Sequence, residues 1–160
     1  MFEEAWLDEG LNQYSETRIM DETYGNKRSA LDFLGFHEGD LEFARLGYTG
    51  LDNPKIAPTF ARSWDYKAGG YGVMTYNKTA VFMSTLERTI GRAVMDEIMR
   101  TYFERWKFKH PCSNDFIAVV NEIVRKHHGE KFGKNINWFF DQVLYGTDVC
   151  DYELTSISNR

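Results

Sequence analysis

Apolar residues recur along most of this chain at three- and four-residue intervals, the period of a helix packed against a core. Leu7, Leu11 and Tyr14 fall on one stripe of a helix predicted from Phe2 to about Tyr24, where Gly25 stops it. Phe2, Trp6, Glu9, Gln13, Glu16 and Met20 lie roughly opposite. Both faces carry large apolar groups, and a helix apolar on two sides is buried on two sides. Glu9 therefore sits among Phe2, Trp6 and Met20 rather than on a simple solvent face.

The next stretches are less regular. Lys27 to Leu34 reads as a short second helix ended by Gly35. From His37 to Tyr71 no period holds, and Pro54 and Pro58 punctuate loops and short helical turns. A connection of that length is expected to be a lid or to line a site. Regular spacing returns at Tyr76, with Ala80, Met83, Glu87 and Ile90 on the same face and Gly91 as the stop. Arg92 to about Lys107 carries Met95, Ile98, Met99, Tyr102, Phe103 and Trp106 at helical intervals. Ser113 reads as the N-cap of a helix with Phe116, Val120, Ile123, Val124 and His127 along one side. Ile136 to Leu144 forms a last, aromatic helix ending at Gly146. No clearly alternating strand competes, so the fold expected is all-α, one domain over residues 1–160 with about five to seven helices.

Composition supports a packed core and removes several function classes. With 12 Phe, 9 Tyr and 4 Trp in 160 residues, the chain is not disordered. Its net charge is −5 with no basic block, which argues against a nucleic-acid partner. The longest apolar run, Phe116-Ile117-Ala118-Val119-Val120, is too short to span a bilayer. Met1-Phe2-Glu3-Glu4 is acidic and leads into a helix, unlike a signal peptide. Cys112 and Cys150 lack metal-site spacing and read as two free thiols, the alternative being one disulfide in an exported parent.

Chemistry concentrates at Glu9. An ordinary helix carboxylate among apolar neighbours pairs with Arg or Lys, because an uncompensated charge there is costly. The segment Glu4-Ala5-Trp6-Leu7-Asp8-Glu9-Gly10-Leu11-Asn12-Gln13-Tyr14-Ser15-Glu16 points to a different cation. It resembles the stretch that follows HExxH in the thermolysin-like zinc aminopeptidases, the gluzincins of the aminopeptidase N and leukotriene hydrolase type. The resemblance implies that Glu9 is the third protein ligand of a catalytic Zn²⁺. A His2Glu set with an open fourth position is a standard arrangement for such a metal. Glu16, about two turns on in nearly the same direction, is a candidate to support a ligating histidine from behind, or else an ordinary surface carboxylate.

Further segments resemble the same family in the same order. Tyr76-Asn77-Lys78-Thr79-Ala80 is similar to its Tyr-Glu-Lys-Gly segment, departing by Asn77 for Glu and Thr79 for Gly. The resemblance implies that Tyr76 donates to the oxyanion of the tetrahedral intermediate, a role that typically contributes ~3 kcal/mol. Leu86 to Gly91, Tyr102 to Trp106, Asp115 to Ile117 and Trp138 to Gln142 resemble the helices that follow. The likeness covers Phe2–Gly25 and Tyr76–Leu144; between them only Gly69-Gly70-Tyr71-Gly72 suggests a backbone loop on the substrate side.

No HExxH occurs here: His37-Glu38-Gly39-Asp40-Leu41 lacks the second histidine, and no set of His, Cys, Asp and Glu completes a zinc site. The chain is thus expected to be the C-terminal helical half of a peptidase catalytic domain, with peptide substrates and the rest of that domain as partners. Alone it is expected to be inactive and to bind zinc weakly, with Glu9 and Tyr76 facing one cleft. Surfaces left uncovered by truncation allow a homodimer. The competing class is a non-catalytic helical module for protein contacts, or a decayed peptidase domain.

Overall fold

The computed structural model describes residues 3–67, 69–149 and 156. Phe2 and Cys150, both named above, lie outside that set. The first helix comes in two pieces. A single 3₁₀ turn, Ala5–Leu7, is followed by α1, Glu9–Tyr24, with Asp8 at φ −93° and ψ −71° joining them. Trp6 is fully buried, its indole N–H donating to Ser113 Oγ at 2.9 Å, while Gln13 and Glu16 face outward. Gly25 ends α1 at φ +96°, a conformation open to glycine without steric cost.

The predicted helix over Lys27–Leu34 is instead a hairpin. β1, Leu31–Phe33, pairs antiparallel with β2, Phe36–Glu38, in the register Leu31 to Glu38, Asp32 to His37 and Phe33 to Phe36. Leu34 and Gly35 form its two-residue turn at φ +50° and +85°, the sign that tight hairpins need at both central positions. The aperiodic stretch after it contains a second correction, the helix α2, Asp40–Thr49. Ser29 Oγ accepts from the Asp40 N–H at its start.

The remaining helices follow the apolar spacing more closely. A helical run begins at Gly70, six residues before the expected start at Tyr76, as α3, Gly70–Gly72, and a π-helical turn, Val73–Lys78. It continues as α4, Thr79–Ile90, and Gly91 at φ +95° separates it from α5, Arg92–Trp106. α6 spans Ser113–His128, capped by Cys112 rather than by Ser113. The Cys112 thiol and the Asp115 carboxylate make the reciprocal box, Asp115 accepting from the Cys112 N–H at 2.9 Å. Ser113 Oγ is engaged instead by Trp6 and donates to Glu4 at 2.6 Å. α7, Asn137–Phe140, runs into a second π-turn, Asp141–Tyr145.

One core joins α1, α4, α5, α6 and α7. At its centre Trp6 lies edge-on to Phe116 at 5.6 Å and tilted to Phe82 at 5.8 Å, and Phe116 meets Tyr102 at 5.0 Å and Phe140 at 6.3 Å. Such aromatic contacts add to the burial that drives the packing. On the outer side of α1, Arg18 reaches Asp96 at 2.6 Å and Glu87 at 3.5 Å, and the Tyr14 hydroxyl donates to Glu87. Those bonds fix α1 against α4 and α5, so the position of its first turn is set from both ends. The fold is all-α apart from the hairpin. No helix of the described residues is long and apolar enough to cross a membrane.

Candidate active site

Glu9 and Gly10 open α1 where it crosses the π-turn. A Cβ built on Gly10 would stand 2.3 Å from Thr79 Cγ2 and 2.6 Å from the Thr75 carbonyl oxygen. Only a residue without a side chain allows the two backbones to come that close. The approach brings the neighbouring Glu9 to Tyr76. The Glu9 carboxylate beside the Tyr76 hydroxyl is the main cause that pushes the phenol's pKa up to about 12. Partial burial and the charges of Glu9 and Asp8 act in the same direction. Tyr76 consequently holds its proton throughout the neutral range and remains a donor.

Glu9 is half-buried and pairs with no Lys or Arg among the described residues. A carboxylate with a phenol on one side and no cation keeps capacity for one more ligand contact. Glu16 is exposed on α1 and accepts a bond from Gln13 Nε2 at 3.1 Å. No group of three or more His, Cys, Asp and Glu side chains among the described residues is arranged to hold a metal. His37 pairs with Asp32 at 2.7 Å on the hairpin, and His127 with Glu97 at 2.7 Å.

Both departures from the Tyr-Glu-Lys-Gly pattern are seated against glycines. Thr79 fills the space beside Gly10, and Asn77 Nδ2 stands 2.3 Å from where a Cβ on Gly47 of α2 would lie. Lys78, between them, is buried; its ammonium donates to the Gly146 carbonyl at 3.3 Å and lies 5.8 Å from the Tyr48 ring centre. Burial lowers its pKa to about 8.

Sequence reasoning did not single out the aromatic row behind Tyr76. Tyr71 packs edge-on to Tyr76 at 6.4 Å and to Tyr66 at 5.7 Å, and Tyr66 donates to the Thr59 carbonyl at 2.8 Å. The five-residue intervals Tyr66, Tyr71, Tyr76 are the signal that was available, but they match no α-helical period. The expected backbone loop at Gly69–Gly72 is a helix start, with Gly69 at φ +83° before it. A separate groove of about 640 Å³ opens between α1 and α5, lined by Leu7, Leu11, Met99, Tyr102, Phe103 and Trp106. Neither Glu9 nor Tyr76 lines it, so cavity size does not mark the carboxylate–phenol pair.

Comparison with known proteins places the chain. The chain is 29% identical to leucine aminopeptidase 2-2 of Meyerozyma guilliermondii, over 92% of its own length and 25% of that protein. It is 28% identical to the human aminopeptidase RNPEPL1 over 72% of its length and 16% of that protein. To a leukotriene A-4 hydrolase homolog of Botryotinia fuckeliana it is 24% identical, over 86% of its length and 21% of that protein. The chain thus spans a quarter or less of the length of these relatives. No solved structure matches it significantly. The sequence profile of the peptidase family M1 domain matches residues 1–143, and the chain belongs to that family.

Proposed function

We propose that residues 1–160 form one helical unit, the C-terminal half of a zinc metallopeptidase catalytic domain that hydrolyses peptide bonds as an aminopeptidase. The observation that carries this reading is the close crossing at Gly10, which brings the Glu9 end of α1 to the turn that holds Tyr76, with the Glu9 carboxylate acting on the Tyr76 phenol. Family membership and the names of the aminopeptidase relatives support the same reaction class.

The donor set fits one position of a metal site. Glu9 offers a half-buried anionic oxygen without a protein cation, as a third ligand beside two histidines requires. The described residues of this chain do not hold the metal by themselves. The two histidines and the general base belong to an HExxH segment elsewhere in the domain. Zn²⁺, when bound, supplies an activated water and polarises the scissile carbonyl.

The chain's own groups act around that chemistry. Glu9 fixes the edge of the site. Tyr76, a phenol and so protonated in the neutral range, presents its hydroxyl to the oxygen on which charge develops. Glu16 supports a ligating histidine from the outer turn of α1. Tyr71, itself packed on Tyr66, backs the Tyr76 ring.

The test joins the chain to the HExxH part of its domain and measures zinc content and peptide hydrolysis. Glu9→Gln is expected to lose stoichiometric zinc and hydrolysis together. Zinc at full occupancy in that variant would contradict the ligand role. The 160-residue chain alone, with zinc added, is expected to hydrolyse no peptide, and turnover by it would contradict the division of the site.

A further inference from the structure

We propose that Thr79 is the positioning residue that holds Tyr76 against Glu9. The proposal rests on reading Glu9 and Tyr76 as one site. It concerns the position at which this chain replaces the glycine of the Tyr-Glu-Lys-Gly pattern.

Thr79 is fully buried and touches both partners' supports. Its hydroxyl donates to the Met74 carbonyl, five residues back, at 3.3 Å. Its backbone N–H goes to the Tyr76 carbonyl. One residue therefore brackets Tyr76, its side chain bonding five residues back to Met74 and its main chain bonding to Tyr76 itself. Its methyl group occupies the gap beside Gly10, where a Cβ would come within 2.3 Å. The same side chain thus sets the width of the turn that carries Tyr76 and its spacing from the residue after Glu9.

Geometry explains why the hydroxyl matters. An α-helix closes at four residues and a π-turn at five. Removing the Thr79 hydroxyl takes one donor from the buried Met74 carbonyl, which favours relaxation of the turn toward the tighter register that supplies a main-chain donor. Removing one residue from the turn rotates Tyr76 relative to α4 by about 100°. A rotation of that size carries the phenol off Glu9 while leaving the apolar face of α4 in the core. A β-branched shape alone does not prevent it; the oxygen does.

The experiment compares the 160-residue chain with Thr79→Val and Thr79→Ser by nuclear magnetic resonance, reading cross-relaxation between the Tyr76 ring and the Glu9 side chain. Val keeps the volume and removes the donor; Ser keeps the donor and removes the methyl. The expected result is loss of the Tyr76–Glu9 cross-peak in Thr79→Val at unchanged helical content, and its retention in Thr79→Ser. A folded Thr79→Val with the cross-peak at wild-type intensity overturns the proposal. In the wild-type chain the Thr79 hydroxyl proton is expected as a slowly exchanging resonance with cross-relaxation to Met74. Its absence overturns the proposal even where Thr79→Val does not fold. Neither readout uses zinc or turnover, so failure here is separate from failure of the peptidase reading.

Discussion

Two parts of this molecule use glycine and large apolar residues in opposite ways. At the crossing of α1 over the π-turn, Gly10 allows backbones so close that a methyl group does not fit, and Trp6, Met74 and Thr79 are fully enclosed nearby. In the hairpin, Gly35 and Leu34 make a turn in open space, and Phe33, Leu34 and Phe36 are 63%, 81% and 73% exposed. The first region fixes residue identity through contact on all sides. The second fixes only a backbone shape. A site built at the crossing therefore inherits its geometry from the core, whereas the hairpin adds surface without adding constraint.

The comparison breaks first if Trp6 proves dispensable. Its indole is enclosed by Phe82 and Phe116 and donates to Ser113. Trp6→Ala is expected to cost about 3–5 kcal/mol in urea unfolding. A loss below about 1 kcal/mol would show that the 3₁₀ turn is not part of the core.

Next is Lys78, a cation under the same crossing. Burial lowers its pKa to about 8 from 10.5. Between those values the unfolded chain holds the proton and the folded chain does not, so stability rises with pH, by up to about 3 kcal/mol. Below pH 8 both forms are protonated and this group adds no slope. Tyr66 and Tyr76, pushed up to about 12, lose the folded state its advantage as pH climbs above 10. Unfolding measured against pH is expected to show stability rising from 8 to 10 in the wild type and flat in Lys78→Met. The same rise in both would remove Lys78 as its source.

Gly10→Ala tests the close approach directly. The added methyl meets Thr79 Cγ2 and, harder to displace, the Thr75 carbonyl. Overpacking of this kind is expected to cost about 1–3 kcal/mol, with separation of Tyr76 from Glu9 visible in the same spectra. The smallest effect lies in the hairpin and has the opposite sign. Leu34 sits at φ +50°, which Asn tolerates better than Leu, so Leu34→Asn is expected to stabilise by up to about 1 kcal/mol. Destabilisation by that change would mean that Leu34 has a packing role that its exposure hides.

The same contrast explains what was legible in the sequence. α5 and the long part of α1 follow from apolar spacing, and Gly25 and Gly91 mark real ends because both sit at positive φ. The hairpin escaped notice because three-residue strands are too short to show alternation, and its turn uses Leu34 where Asn or Asp usually stands. α2 escaped because Gly47 interrupts it, and that glycine is there for Asn77, a contact no local pattern reveals. Ser113 looked like a cap by residue type, yet its hydroxyl serves Trp6 and Glu4, and Cys112 caps instead. At the site, the Glu9–Gly10 and Tyr76 segments could be singled out by their motif. The π-turn that aims Tyr76 could not, since one inserted residue changes the register without changing the composition.

Glu9 and Tyr76 are proposed to serve one peptidase site. The most direct measurement is kcat and zinc content for Tyr76→Phe in the full-length protein. Zinc is expected to stay at wild-type stoichiometry, KM to change little, and kcat to fall by about 10²–10³-fold, the loss of one oxyanion donor. A kcat within twofold of wild type at full zinc occupancy would contradict it.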